Sequence, residues 1–140
     1  MPACMYFFIF IVMKKPFPKA KRPLEYVAFF HFQMSTMEGP GFVFLAVDAF
    51  SQFAFSLGVE RDENPDTILK SIYLLMEQPD FVKYIDLGFT LVLGEHEELS
   101  DEINAILKPV KGKLLFSKGF NNHLSNPVLK SFKNSLFRRR

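Results

Sequence analysis

Residues 42–59 read FVFLAVDAFSQFAFSLGV. An apolar run, GFVFLAVD (41–48), and a second, FAFSLGV (53–59), flank the short break Ala49–Gln52, and so read as the two arms of a β-hairpin. That pattern commits the chain to a sheet and makes two of its strands antiparallel neighbours. The polar break admits two readings, chemistry or punctuation. A carboxylate such as Asp48 at a strand end can accept hydrogen bonds from backbone N–H groups across a turn, and the Ser51 hydroxyl can do likewise.

The rest of the chain extends the sheet. Upstream, VAFFHFQMS (27–35) is rich in strand formers and MEGPG (37–41) is a turn, which makes the hairpin a three-stranded meander. Downstream the apolar spacing changes. In NPDTILKSIYLLMEQ (64–78), Ile68, Leu69, Ile72, Tyr73 and Met76 follow helical spacing, with Asn64 as cap and Pro65 at the first position. GFTLVLG (88–94) is a short, wholly apolar strand suited to the middle of a sheet. HEELSDEINAILK (96–108) reads as a second helix with acids in its early turns, GKLLFS (112–117) as a fifth strand, and SNPVLKSFKNSLF (125–137) as a third helix capped by Ser125 or Asn126. The order is βββαβαβα, a meander followed by alternating units that require parallel pairing.

A chain of 140 residues holds one domain with a real core, and 18 phenylalanines point to a core filled by aromatic rings. The single cysteine, Cys4, excludes an internal disulfide and a cysteine-based zinc site, and fits a cytoplasmic location. The apolar stretch Ala3–Met13 is about half of the ~20 residues a membrane-spanning helix requires. No basic residue precedes it and no small-residue cleavage site follows, so it reads as a hydrophobic tail or edge strand and not as a signal peptide. KKPFPKAKRP (14–23), with five basic residues and three prolines, reads as a basic linker. Residues 1–23 are thus tail and linker, and the domain runs over 24–140.

The net charge of +2 conceals a split. Residues 60–102 carry twelve acidic and three basic side chains, whereas 103–140 carry nine basic and no acidic ones. A basic block of this kind attracts polyanions by releasing their counterions, or else balances the acidic block across one folded surface.

These elements carry a family resemblance. GFVFLAVDAFSQFAF is similar to the strand–hairpin segment of retroviral and transposon integrase catalytic cores, the DDE recombinases, in which an aspartate is followed by x-F-S. AKRPLE (20–25) resembles the approach to that core. LVLGEHEEL (91–99) resembles the segment of the second catalytic aspartate, and HLSNPVLKSFKNSL (123–136) the segment of the catalytic glutamate. The resemblance covers about residues 20–137 and implies a ribonuclease-H-like α/β fold, a five-stranded mixed sheet flanked by helices. It also implies that Asp48 is structural and holds the hairpin turn together with Ser51.

The resemblance puts the catalytic carboxylates at Met34, Glu95 and Lys130. DDE chemistry needs two divalent metals held by three carboxylates. A thioether is a poor ligand for hard Mg²⁺ or Mn²⁺ and an ammonium repels them, so two of three ligands are missing. The expectation is an inactive integrase-like domain derived from a mobile element, with no metal, no other cofactor, no membrane and no small-molecule substrate. Lys130 is expected to pair with Glu95 in place of the metal, beside Met34.

Binding of nucleic acid or of a partner chain is expected, with nucleic acid held by Lys19, Lys21, Arg22, Lys130, Lys133, Arg138, Arg139 and Arg140. A homodimer is expected through the helix 64–78, where Tyr73, Leu74 and Leu75 exceed what one core face needs. The alternative is a metal-dependent nuclease or recombinase with a site rebuilt around Glu95 and Glu97. Other constellations are weak. His31, His96 and His123 are scattered over three elements, with His31 read as a packed strand residue. Ser35, Ser51 and Ser117 have no neighbouring His–Asp pair, and GPG (39–41) is a turn and not a phosphate loop.

Overall fold

The computed structural model describes residues 17–83 and 85–138, with side chains described as far as Phe132. The apolar stretch Ala3–Met13, Cys4 and the side chains of Lys133 and Arg138–Arg140 lie outside the described residues. β1 (Tyr26–Thr36), β2 (Gly39–Asp48) and β3 (Ala54–Glu60) form the antiparallel meander. β4 (Phe89–Leu93) lies parallel to β1, and β5 (Gly112–Phe116) parallel to β4, giving one sheet in the order β3-β2-β1-β4-β5. The helices are α1 (Pro65–Met76), α2 (Ser100–Leu107) and α3 (Lys118–Arg138), with a single helical turn at Pro79–Val82. This is the βββαβαβα order of the ribonuclease-H-like class.

Strand alternation decides what each sheet face buries. Val27 and Phe29 of β1, Phe44 and Ala46 of β2, and Leu91 and Leu93 of β4 share one core with Ile68, Ile72 and Leu75 of α1 and Ile103 and Leu107 of α2. Each such fully buried Leu, Ile or Phe contributes about 1.5–3 kcal/mol relative to exposure. The intervening residues, Phe30 of β1 with Val43, Leu45 and Val47 of β2, form a smaller cluster under Val128 and Leu129 of α3. Aromatic rings fill the main core: Phe81 meets Phe89 edge-on at 4.8 Å and Phe55 at 6.3 Å. Gly112 is the residue that lets β5 start there. A Cβ at this position would sit 2.6 Å from the Phe89 ring and 2.9 Å from Leu107.

Helix α1 forms where expected, and its cap is reciprocal. Asn64 Oδ1 accepts from Thr67 N at 2.9 Å and Thr67 Oγ1 accepts from Asn64 N at 3.0 Å, with Pro65 opening the helix. Its buried stripe is Ile68, Ser71, Ile72 and Leu75, rotated from the expected one, and Tyr73 is left 56% exposed. The expected second helix is broken at its start. His96 takes a left-handed conformation (φ 72°), Glu97–Leu99 is a 3₁₀ turn, and the α-helix begins only at Ser100. The third helix begins seven residues before the expected start, so Ser125 and Asn126 are interior and not caps, and Pro127 lies inside the helix. Ser117 takes the capping place, its Oγ accepting from Phe120 N at 3.2 Å. The stripe that docks this helix includes the buried polar residues Asn121 and Ser125, which hide its periodicity in the sequence.

Asp48 is 2% exposed and accepts four hydrogen bonds. Oδ1 takes Leu24 N (2.9 Å) and Phe50 N (3.1 Å); Oδ2 takes Ser51 N (3.3 Å) and Ser51 Oγ (2.7 Å). Ser51 Oγ in turn accepts from Phe53 N at 3.2 Å. One carboxylate thus fastens the segment that leads into β1 to the turn between β2 and β3. Asp48→Ala leaves the buried Leu24 N–H unpaired and is expected to cost about 2–4 kcal/mol in urea unfolding, against about 1 kcal/mol for Ser51→Ala. A smaller loss for Asp48→Ala than for Ser51→Ala would contradict this bonding scheme.

Candidate functional site

Parallel pairing of β1 with β4 covers only Tyr26↔Thr90 to Ala28↔Val92, after which β4 ends and β1 runs on. Here the antiparallel meander meets the parallel strands. Open α/β sheets place their binding crevices at such a switch point, outside the carboxyl ends of the strands. The crevice is lined by Phe30 and His31 from β1, Gly94, Glu95 and His96 following β4, and Lys118, Asn121, Asn122, Ser125 and Leu129 from α3. Asn121 closes its floor. The buried Nδ2 donates to Phe29 O at 2.8 Å and to Val92 O at 2.9 Å, joining the two strands through a side chain where their own ladder has stopped.

On the α1–α2 side of the crevice, two imidazoles and two carboxylates converge. His31 Nε2 lies 3.2 Å from Glu95 Oε1 and 3.6 Å from Glu63 Oε1. His96 Nε2 lies 3.0 Å from Glu63 Oε1 and 3.6 Å from Glu95 Oε1. The His31 ring is held against Phe44 (5.4 Å) and Phe42 (6.0 Å) and stands 5.9 Å from the His96 ring. Both Nε2 atoms are buried, and neither has a hydrogen-bond partner despite these short separations. Among the described residues, His31, Glu95 and His96 form a group whose potential ligand atoms all lie within 4.8 Å of one another.

The structure redistributes the expected site residues. Of Met34, Glu95 and Lys130, only Glu95 lines the crevice. Met34 sits opposite Gly41, three residues beyond His31 and on the other sheet face, packed against the Phe30–Val47 cluster. Alternation dictates this, since residues 31 and 34 differ in parity. The expected Lys130–Glu95 pair is not formed. Lys130 is exposed, the helix turns Leu129 toward the crevice, and Glu95 meets the two histidines instead. Glu97 is exposed and belongs to no such group among the described residues. His96 joins Glu95 because its left-handed backbone departs from the helical geometry in which adjacent side chains diverge.

Sequence reasoning discounted His31 and His96 and passed over Glu63. One signal was available: Val27, Phe29 and His31 are alternate residues, so the histidine ends a buried apolar stripe. Of the expected nucleic-acid contacts, Lys19, Lys21 and Lys130 are exposed. Arg22 is not available in the same way, because its Nη2 donates to Leu87 O (3.0 Å) and Gly88 O (2.7 Å). The linker itself rests on the domain, with Phe17 stacked on Phe120 at 5.2 Å. Among the described residues, no helix is long and apolar enough to cross a membrane.

The five-stranded mixed sheet with its flanking helices is a ribonuclease-H-like fold, the fold of integrase catalytic cores. Two solved structures carry that assignment. The chain is similar to a chain of the simian T-cell lymphotropic virus intasome in complex with the PP2A regulatory subunit B56 gamma, at TM-score 0.58 and 12% identity, over 86% of this chain and 44% of that one. It is also similar to the HTLV-2 integrase catalytic core domain in complex with magnesium in its dimeric form, at TM-score 0.53 and 14% identity, over 85% of this chain and 76% of that one. The chain therefore spans under half the length of the intasome chain it matches. No protein-family model and no curated protein matches it.

Replacing Asn121 by Ala removes both bridging bonds and strands two carbonyls. Chemical denaturation is expected to show a loss of about 2–4 kcal/mol. A loss under about 0.5 kcal/mol, the range of an ordinary surface substitution, would show that the bridge does not hold β1 and β4 together.

Proposed function

We propose that this domain is a non-catalytic relative of integrase cores, derived from a mobile element, that binds nucleic-acid backbones. The observation that carries this reading is the make-up of the crevice. Two-metal phosphoryl transfer needs a set of carboxylates around a pair of hard cations. Glu95 is the carboxylate that lines the crevice, and it faces two imidazoles, while the α3 wall offers Lys118, Asn121, Asn122 and Ser125. Such donors suit hydrogen bonding and charge contact with a polyanion better than they suit Mg²⁺.

The sequence of α3 holds no acidic residue, and Lys118 and Lys130 present exposed ammonium groups along it. Contacts from these two cations give a log–log salt slope of about −1.8, or roughly 12-fold weaker binding at 200 mM than at 50 mM salt. Fluorescence anisotropy with a labelled duplex is expected to show that slope, reduced by Lys118→Gln with Lys130→Gln. Affinity that does not change with salt would reject the reading.

The second reading, a nuclease with a rebuilt site, is favoured by one observation, the convergence of His31, Glu95 and His96. Glu97 has no place in it. Cleavage of a labelled duplex in Mg²⁺ or Mn²⁺, abolished by Glu95→Ala, would establish an enzyme. The expected result is no cleavage.

The homodimer is part of the same proposal, by likeness to the dimeric HTLV-2 core. Its expected basis on α1 is reduced, because Leu75 is buried in this chain's own core and Leu74 packs against it. Tyr73 of α1 is exposed, as are Val82 and Leu87 that follow it in the chain. An isologous interface would need to bury about 800 Å² per partner. Light scattering is expected to give twice the chain mass, and a monomer mass at every concentration would reject the dimer.

A further inference from the structure

We propose that His31, His96 and Glu95, with Glu63 as fourth donor, bind a divalent transition metal of the zinc class. The inference does not depend on nucleic-acid binding by Lys118 and Lys130, although it concerns residues of the same crevice. It starts from the spacing of four atoms. The four separations between the two Nε2 atoms and the two Oε1 atoms run from 3.0 to 3.6 Å. Ligand bonds of about 2.0–2.2 Å in a tetrahedron put neighbouring donor atoms about 3.3–3.6 Å apart. Four of the six edges of such a polyhedron are therefore near their required lengths, with His31, Glu95 and His96 the closely gathered donors and Glu63 reaching both histidines.

A second observation is independent of the distances. Both Nε2 atoms are buried and make no hydrogen bond, although carboxylate oxygens lie within reach. A buried nitrogen without a partner is costly, and a nitrogen beside an oxygen that it does not face is aimed elsewhere. A cation shared by the histidines and Glu95, with Glu63 completing the set, would give both nitrogens a partner.

The donor set also selects the ion. Imidazole with carboxylate suits zinc and its neighbours, whereas magnesium takes oxygen ligands in octahedral array. The surroundings fit a ligand role as well. Glu98 Oε1 lies 3.5 Å from His96 Nδ1, the side from which a carboxylate orients a metal-bound imidazole. Phe42 and Phe44 hold the His31 ring in place. The ion would tie together β1, the β3–α1 connection that carries Glu63, and the turn after β4. Zinc should therefore raise thermal stability by mass action.

The test uses the full chain stripped of metal with a chelator and then titrated with ZnCl₂, MgCl₂ or CoCl₂. The expected result is one zinc per chain by calorimetry and elemental analysis, a higher melting temperature, and a tetrahedral visible spectrum with cobalt. His31→Gln and His96→Gln should each weaken zinc by at least 100-fold, and Glu98→Gln by about 10–100-fold. Cys4→Ser and His123→Gln should leave zinc binding as it is. Where His31→Gln does not fold, His96→Gln and Glu98→Gln decide the matter. Failure to bind stoichiometric zinc would overturn the proposal and leave a histidine–carboxylate cluster without a metal. Zinc binding untouched by the histidine variants, or a preference for magnesium, would also overturn it.

Discussion

The structure turns on the point where β1 and β4 stop pairing. Parallel pairing there lasts three residues, and the carbonyls of Val92, in the last pair, and Phe29, one residue past it, accept from a side chain. The Asn121 amide supplies the missing donor to both and is itself buried. In doing so it docks α3 against the strands and leaves an opening above the end of β4. The crevice is thus a product of the strand ends and of the one side chain that reconciles them.

A second polar residue performs the matching task at the other end of β1. The Asp48 carboxylate binds the backbone leading into β1 and the turn of the hairpin, so the register Val27↔Asp48 is fixed at its first pair. Between Asp48 and Asn121, β1 is held at both of its neighbours. It is long enough to project past β4, which is how His31 reaches the turn that carries Glu95 and His96. Alternation then sorts its side chains: Val27, Phe29 and His31 fall on the α1–α2 face, Phe30 and Met34 on the α3 face.

The chemistry of the crevice follows from that sorting. Its lining has Glu95 and two imidazoles on one side, with Glu63 behind the imidazoles, and neutral amides and a lysine on the other. Acidic residues are plentiful between residues 60 and 102, but most of them lie on exposed helix and loop positions where they serve solubility and the helix dipole. Glu63 reaches the histidines because it belongs to the connection between β3 and α1, which passes close to the end of β1.

The sequence alone determined the element order, the hairpin with its Asp48–Ser51 turn, the Asn64–Pro65 cap and the alternating parallel units. These rest on local signals: period-two apolar runs, turn residues and caps act within a few residues of one another. The similarity to integrase cores was legible in the same hairpin. The candidate site was not. The resemblance puts it at Met34, Glu95 and Lys130, of which only Glu95 lines the crevice, and a shift of three residues on a strand moves a side chain to the opposite face. The start of α3 was hidden because its docking stripe contains Asn121 and Ser125, polar residues buried only because they meet strand ends. Most of all, His31, Glu63, Glu95 and His96 come from three separate segments, and no local pattern links them. The parallel pairing of β1 with β4 and the left-handed backbone of His96 bring them together, and both are properties of the folded chain.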